Sequence, residues 1–410
     1  MLQWIEQLGI SESPESWARN YKEAMDHMPG SSIPFLQDDY LTDVLKVIQL
    51  TDKRSTLLQE AFKLMREHDS LSRLAWLWHY MIYVKPDSFS ERVAEWPAPR
   101  LSDPAMETAQ NFFPAVVLLS GFPHIMQLYK ERNIPEQVIR ETLGKVNANM
   151  QVHEEESGKT GLSMRLLNWL LNHFQGRLYS LGRLEFEMRT FRYPIRGYRN
   201  KLDGSVAALS EEGVKYRRDG LVDGTNGICD ESGGWTAYIR EDDAEVEGFP
   251  LSSENGSALN EPVALSKQQW ELRLKQDDPV LHVHIPRKGS FTKEDCRDSF
   301  VRAVEFFKTY YPDWPYTAIA CVSWLMDPQL RGLLGESSNL VKFQEWYHPY
   351  PVKSGDESIY TFVFRCEKRE LDQLPEHTSL QRKMKDFMRA GGKFRLGGGF
   401  MLKEEAEALK

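Results

Sequence analysis

Two histidines spaced two apart, His282 and His284, run almost directly into a cationic, glycine-containing stretch, Arg287-Lys288-Gly289-Ser290, with Thr292 and Asp295 just beyond it. Neutral imidazole titrates near neutrality, so either histidine can take a proton from an attacking group, and a pair on one side of a strand also suits a metal ion. Arg287 and Lys288 bring fixed positive charge. Gly289 lets an anion approach the backbone closely, and Thr292 with Asp295 forms a capping-box-like helix start whose free N–H groups and dipole favour a phosphate. These residue types in this order support proton transfer beside a bound anion. His284 lies at the strand end nearest the turn, which makes it the better general base of the two. A third metal ligand is not visible and no HExxH accompanies the pair, so no metal is expected.

Other candidates are weighed against their structural roles. Glu185 and Glu187 share one face of a second strand and could supply a base if burial raised one pKa, although a solvated face paired with Arg189 explains them as well. A hydrolase built on either carboxylate is a rival reading, but it leaves the cationic helix start without a role. Ser323 sits where a side chain could touch a cofactor, whereas Cys321 and Cys366 read as core thiols. The cluster Lys215-Tyr216-Arg217-Arg218 is flanked by Gly and Asp-Gly turns and reads as a solvated hairpin.

The elements that must position these groups are legible from periodicity. Val280, His282 and His284 alternate with Leu281, Val283 and Ile285, the period-2 pattern of a strand with one apolar and one imidazole face. After the turn, Phe300, Val304, Phe307 and Tyr311 recur at helical spacing. Tyr316 to Leu325 is a nearly continuous apolar run, as expected for a strand covered on both faces and parallel to the first. Neither a Walker pattern nor a GxGxxG is present, so nucleotide-hydrolase and Rossmann readings are poor.

At 410 residues the chain is long enough for two domains at roughly 150 to 200 residues each. Up to about Phe174 the pattern is helical, with Leu57, Phe62, Met65, Leu71, Leu74, Trp78 and Met81 near helical spacing and a further stripe from Ser163 to Phe174. Prolines from Pro97 to Pro135 predict short helices between. From there the texture changes to alternation (Leu184, Phe186, Met188) and Asp-Gly or Asn-Gly turns, which predict antiparallel strands. The reading is therefore α+β: an all-α N-terminal domain over 1–174 and a mixed β-sheet domain with flanking helices over 175–410. Trp235–Ile239 and Tyr360–Cys366 are expected to continue the sheet, Glu241–Glu261 to form a polar loop, Leu380–Met388 a helix, and Lys393–Met401 a final strand. A net charge of −9 excludes a general nucleic-acid binder. Four dispersed cysteines, no signal-peptide n-region and no apolar run of spanning length predict reduced thiols, a cytoplasmic location and no membrane partner.

The segments Leu181-Gly-Arg-Leu-Glu-Phe-Glu, Val283-His-Ile-Pro, Cys321-Val-Ser-Trp-Leu-Met-Asp-Pro-Gln-Leu, Ser338-Asn-Leu-Val-Lys-Phe-Gln and Thr378-Ser-Leu-Gln-Arg with Ala390-Gly-Gly-Lys-Phe-Arg resemble bacterial acyltransferase-domain proteins. Those proteins join a helical N-terminal domain to a GNAT-like C-terminal domain, and the similarity spans nearly the whole chain. The resemblance implies an acyl-CoA co-substrate, acetyl-CoA or another acyl-CoA, without naming an acceptor; the reading adopted is transfer to a small-molecule amine, by a chain that could form a homodimer. By the same analogy the coenzyme A pyrophosphate sits on the turn Pro286-Arg-Lys-Gly-Ser-Phe, so that Ile285, Arg287, Lys288, Gly289, Ser290, Thr292 and Ser323 are the cofactor-binding residues. Only Gly289 keeps the family's Gln/Arg-x-x-Gly-x-Gly/Ala register there. His284 is then the base, Glu185 the next residue to consider, and Tyr347 the nearest match to a tyrosine acid. The alternative is a degenerate GNAT-like domain that binds coenzyme A or a partner without turnover.

Overall fold

A computed structural model describes residues 3–30, 32–287 and 289–409. The chain separates into two compact units, Met1–Ser180 and Leu181–Lys410.

The first unit is helical. Trp17, Trp78, Trp96 and Phe113 form an aromatic knot in its core, with Trp78 5.4 Å from Trp17, 5.1 Å from Trp96 and 5.0 Å from Phe113. Such edge-on and tilted contacts fill volume and align ring quadrupoles. Between Tyr80 and Met106 the chain makes only single π and 3-10 turns, as its prolines require. Pro114 nevertheless lies inside the helix Glu107–Leu119, so the expectation of short helices is exceeded there. The run Pro104–Glu131 is long and apolar enough to meet the length and composition of a membrane span, against the sequence expectation. Of its apolar 18-residue window 72% is buried inside the protein, which is the character of a core helix.

The second unit is organised by a six-stranded sheet. Its strands are β1 (Leu178–Leu181, where the chain passes from one unit to the next), β2 (Leu184–Thr190), β3 (Pro279–His284), β4 (Ala318–Ser323), β5 (His348–Pro351) and β6 (Gly397–Leu402). Their order is β1-β2-β3-β4-β6-β5. β3 and β4 are parallel and joined by the long helix α1 (Lys293–Tyr310); β2–β3, β4–β6 and β5–β6 are antiparallel. Helix α1 covers one face: Phe300 stands 6.1 Å from Phe186 of β2. On the other face Val280, Ala318, Ala320, Phe400 and Leu402 pack with Phe191, Ile195, Phe249 and Leu274 from the β-rich excursion between β2 and β3. The architecture is thus a helical N-terminal region followed by a mixed sheet with flanking helices, as the sequence indicated.

Four local expectations are corrected. Trp235–Thr236 pairs with Lys215–Tyr216, and Ile239–Glu241 joins a separate three-stranded sheet, so neither extends the main one. Tyr360–Phe364 is a π-helical turn: Tyr360, Val363 and Phe364 point inward at helical spacing while Phe362 is exposed. Glu241–Glu261 is not a simple loop, because Val246, Phe249, Leu251 and Ala258 are buried and hold a strand, Glu245–Gly248, within it. The last strand begins at Gly397 rather than Lys393, since Phe394 packs instead against Leu330 and Met384.

Candidate functional site

Both β3 and β4 are fully paired on their outer edges. β3 matches β2 as far as His284–Glu185, and β4 matches β6 as far as Ser323–Gly397. The seam between them is different. Its parallel register runs from Val280–Ala318 to His282–Ala320 and stops there, although both strands continue. Beyond that point the facing backbone N–H and C=O groups lack the partners that a continued ladder would supply, and such groups seek others. An extended, amide-bearing ligand is one source.

His284 stands at the mouth of this seam. The β2–β3 register sets Glu187 opposite His282 and Glu185 opposite His284, so four polar side chains share one face. His284 Nε2 lies 2.8 Å from Glu187 Oε2, and Arg189 Nη1 approaches the same carboxylate at 3.5 Å. Against the hydrogen-bonded carboxylate Nε2 is assigned the proton, which leaves the Nδ1 lone pair as the basic one. His282 is a different residue despite its shared face. It is buried, its Nδ1 has no hydrogen-bond partner, and burial, with the nearby His284 and Arg189, holds its pKa well below the usual value. It is kept neutral. The carboxylates are buried rather than solvated: Glu185 is 4% and Glu187 9% exposed.

Glu187, His282 and His284 also bring three potential ligand atoms within 4.8 Å of one another. Zinc at about 2.0–2.2 Å from each requires that no two be more than about 4.4 Å apart. The closest pair of the trio, His284 Nε2 and Glu187 Oε2 at 2.8 Å, is hydrogen-bonded.

The turn after β3 is shaped from an unexpected quarter. Gly289 has φ +106°, a conformation side-chain-bearing residues rarely adopt. Thr292 caps α1 by accepting the Asp295 N–H at 3.1 Å, as the sequence predicted, and Ser290 Oγ donates to the Asp295 carboxylate. Arg183 reaches the turn from the two-residue connection Gly182-Arg183 between β1 and β2. Its Nη2 donates to the Pro286 carbonyl at 2.8 Å, its Nε donates to the Ser290 carbonyl, and its guanidinium lies 5.2 Å from the Phe291 ring centre. Ser299 on α1 completes the attachment, its hydroxyl accepting the N–H groups of Arg183 at 2.7 Å and Leu184 at 3.2 Å. Sequence reasoning missed Arg183. A Gly-Arg pair in a tight hairpin was visible, but its contact with a turn some hundred residues later was not.

The remaining candidates fall as follows. Ile285, Arg287, Ser290 and Thr292 lie in sequence along the turn with Gly289, while Lys288 lies outside the described residues. Ser323 ends β4, with its hydroxyl accepting the Leu325 N–H at 3.2 Å as a local cap. Tyr347 is corrected. It packs against Phe300 and Phe343 on the α1 side of the sheet, opposite the face of His284, and burial pushes its phenol well above the ordinary range. A neutral tyrosine enclosed in the core has no route to a departing group at His284. Burial likewise raises the Cys321 thiol to about 12, which fits a core residue.

This sheet order, with one opened parallel seam and a helix starting at its mouth, defines an acyltransferase-type fold. The chain belongs to the family described as the GNAT-like C-terminal domain, which matches residues 178–401, and residues 39–176 match the N-acyltransferase N-terminal domain. No curated protein sequence matches it. Among solved structures it is similar to an acyltransferase in complex with decanoyl-CoA and teicoplanin, at 20% identity and TM-score 0.65 over 98% of both chains. An acyltransferase mutant with octanoyl-CoA gives 20% identity and TM-score 0.64 over the same shares. An acyltransferase with CoA and a ten-carbon teicoplanin also stands at 20% identity, with TM-score 0.65 and 98% of each chain covered.

Proposed function

We propose that this protein transfers an acyl group from an acyl-CoA to an amine acceptor. One observation carries the reading: the β3–β4 seam opens just where a His–carboxylate pair and a glycine-bearing helix start meet. The pantetheine arm, an extended chain with two amides, takes up the backbone groups that the opened ladder leaves, and the turn from Ile285 to Thr292 receives the pyrophosphate. The backbone N–H of Ile285, just past the end of β3, polarises the thioester carbonyl. His284 removes a proton from the attacking ammonium through Nδ1, with Glu187 stabilising the imidazolium that forms. The amine nitrogen bonds to the carbonyl carbon, the tetrahedral intermediate collapses, the carbon–sulfur bond breaks, and the further proton that the nitrogen gives up passes to the departing thiolate, releasing coenzyme A and the amide.

The decanoyl-CoA and octanoyl-CoA complexes of the similar structures weigh toward a medium-chain donor over acetyl-CoA. Four free thiols and an intracellular donor accord with a cytoplasmic placement. Thermal-shift measurements against CoA, acetyl-CoA, octanoyl-CoA, decanoyl-CoA and ATP test the donor, because a ligand of the native state raises apparent stability. CoA and at least one acyl-CoA are expected to raise the melting temperature, with ATP giving a smaller effect. No shift with any thioester overturns the reading. A shift without release of free thiol in the presence of amines favours the non-catalytic alternative.

A further inference from the structure

We propose that Arg183 is a positioning residue for the donor, setting the pyrophosphate turn and supplying the fixed counter-charge beneath it. The inference rests on the acyl-CoA reading but concerns a side chain outside the turn itself. Three observations point to it. First, the two carbonyls it holds, Pro286 and Ser290, bracket the left-handed Gly289. Drawing both oxygens toward one guanidinium fixes the two planar peptide groups that carry them, one on each side of Gly289.

Second, the guanidinium is half-buried, and its charge is not neutralised by contact. Among the described residues its partners are two neutral carbonyls, the Ser299 hydroxyl through its backbone, and the Phe291 ring. Asp295 and Glu185 act on it only at longer range, and Nη1 is buried without a hydrogen-bond partner. A cation taken from water in this way is costly unless an opposite charge arrives. A diphosphate on the turn is such a charge.

Third, the placement is rigid. Arg183 occupies the second place of a two-residue hairpin loop whose Gly182 has φ +77°, and Ser299 ties that hairpin to α1. A Cβ on Gly182 would come within 3.0 Å of the Ser299 hydroxyl. The arginine is therefore held by the same helix whose N-terminus it serves.

The test compares the parent with Arg183→Met and Arg183→Lys on four probes: CoA, an acyl-CoA, inorganic pyrophosphate and an acyl-pantetheine, which keeps the thioester but lacks the pyrophosphate. Losing a charge-assisted arrangement of this kind weakens binding by about 10- to 100-fold. In Arg183→Met the KM for acyl-CoA and the calorimetric Kd for CoA should rise by that factor with kcat changed far less. The loss on the acyl-pantetheine should stay within a few-fold, and Arg183→Lys should recover part of the difference. Equal losses on acyl-CoA and acyl-pantetheine indicate a merely structural role and overturn the proposal, as does CoA affinity within twofold of the parent. If Arg183→Met does not fold, the same ratio in Arg183→Lys decides. A parent that binds pyrophosphate in an Arg183-dependent way but does not bind CoA leaves this inference standing and removes the acyl-CoA reading.

Discussion

The two seams flanking β4 are built to opposite ends. On the β6 side all six pairs close, from Ala318–Leu402 to Ser323–Gly397; on the β3 side the ladder ends after three. Glycine explains the closed seam. A Cβ at Gly397 would lie 1.9 Å from the Met326 carbonyl, one at Gly398 2.1 Å from the Tyr350 ring, and one at Gly399 2.6 Å from the Met326 methyl. Packing so close leaves no room at these positions even for a Cβ. The open seam instead ends beside a hydrogen-bonded polar pair, buried Glu187 and half-buried His284, and a turn kept in an uncommon conformation. One edge of β4 serves the core, and its other edge is left for chemistry.

Three changes break or sharpen this contrast. The largest effect belongs to His284. His284→Gln should lower turnover by about 10²- to 10⁴-fold, the usual contribution of a general base, while calorimetric affinity for CoA holds. Turnover within a few-fold of the parent would move the base elsewhere, with Glu185 and Glu187 next to be tested.

On the closed side, Gly398→Val should act through the fold. An added isopropyl group, whose Cβ alone would lie 2.1 Å from the Tyr350 ring, forces either that ring or β6 to shift, at about 1–3 kcal/mol or more. Thermal unfolding should show a melting temperature lowered by several degrees. A variant as stable as the parent would mean that the seam is not tightly packed.

The smallest of the three separates the neighbouring histidines. His282 has a folded-state pKa below its ordinary 6.5, pressed down first by burial and then by His284 and Arg189. Below pH 6.5 the unfolded chain binds a proton that the folded chain does not, so stability is full above that pH and falls as pH drops through the folded value. His284, Glu187 and Arg189 face the same space, so the comparison is between the parent and His282→Gln. The variant's melting temperature should decline less steeply between pH 6.5 and pH 5. Identical slopes would show that His282 is not held neutral.

Much of the site was legible in the chain because its signals are local. Alternation around His282 and His284 gave a strand within a residue of β3, and Thr292 with Asp295 marked the start of α1 correctly. What escaped depends on contacts between distant segments. Nothing around Tyr347 distinguishes an acid from a core phenol until Phe300 and Phe343 are seen to enclose it. The Tyr360–Cys366 run was misread because a short apolar stretch fits a strand or a helical turn equally well. Termination of the β3–β4 ladder is a register property, and the reach of Arg183 to Pro286 spans more than a hundred positions.

The central claim, that the turn at the mouth of the open seam holds the coenzyme A pyrophosphate, is tested most directly by calorimetric titration of CoA into the parent and Gly289→Val. A Cβ at Gly289 meets no atom closer than 3.8 Å, so the change acts through its φ of +106° rather than through a clash. A β-branched residue there forces the backbone out of the conformation that receives the phosphates, at a local cost of about 1–3 kcal/mol. The account predicts CoA affinity reduced about tenfold or more, in a variant that still unfolds cooperatively. Unchanged affinity in a variant that has kept its fold would contradict it.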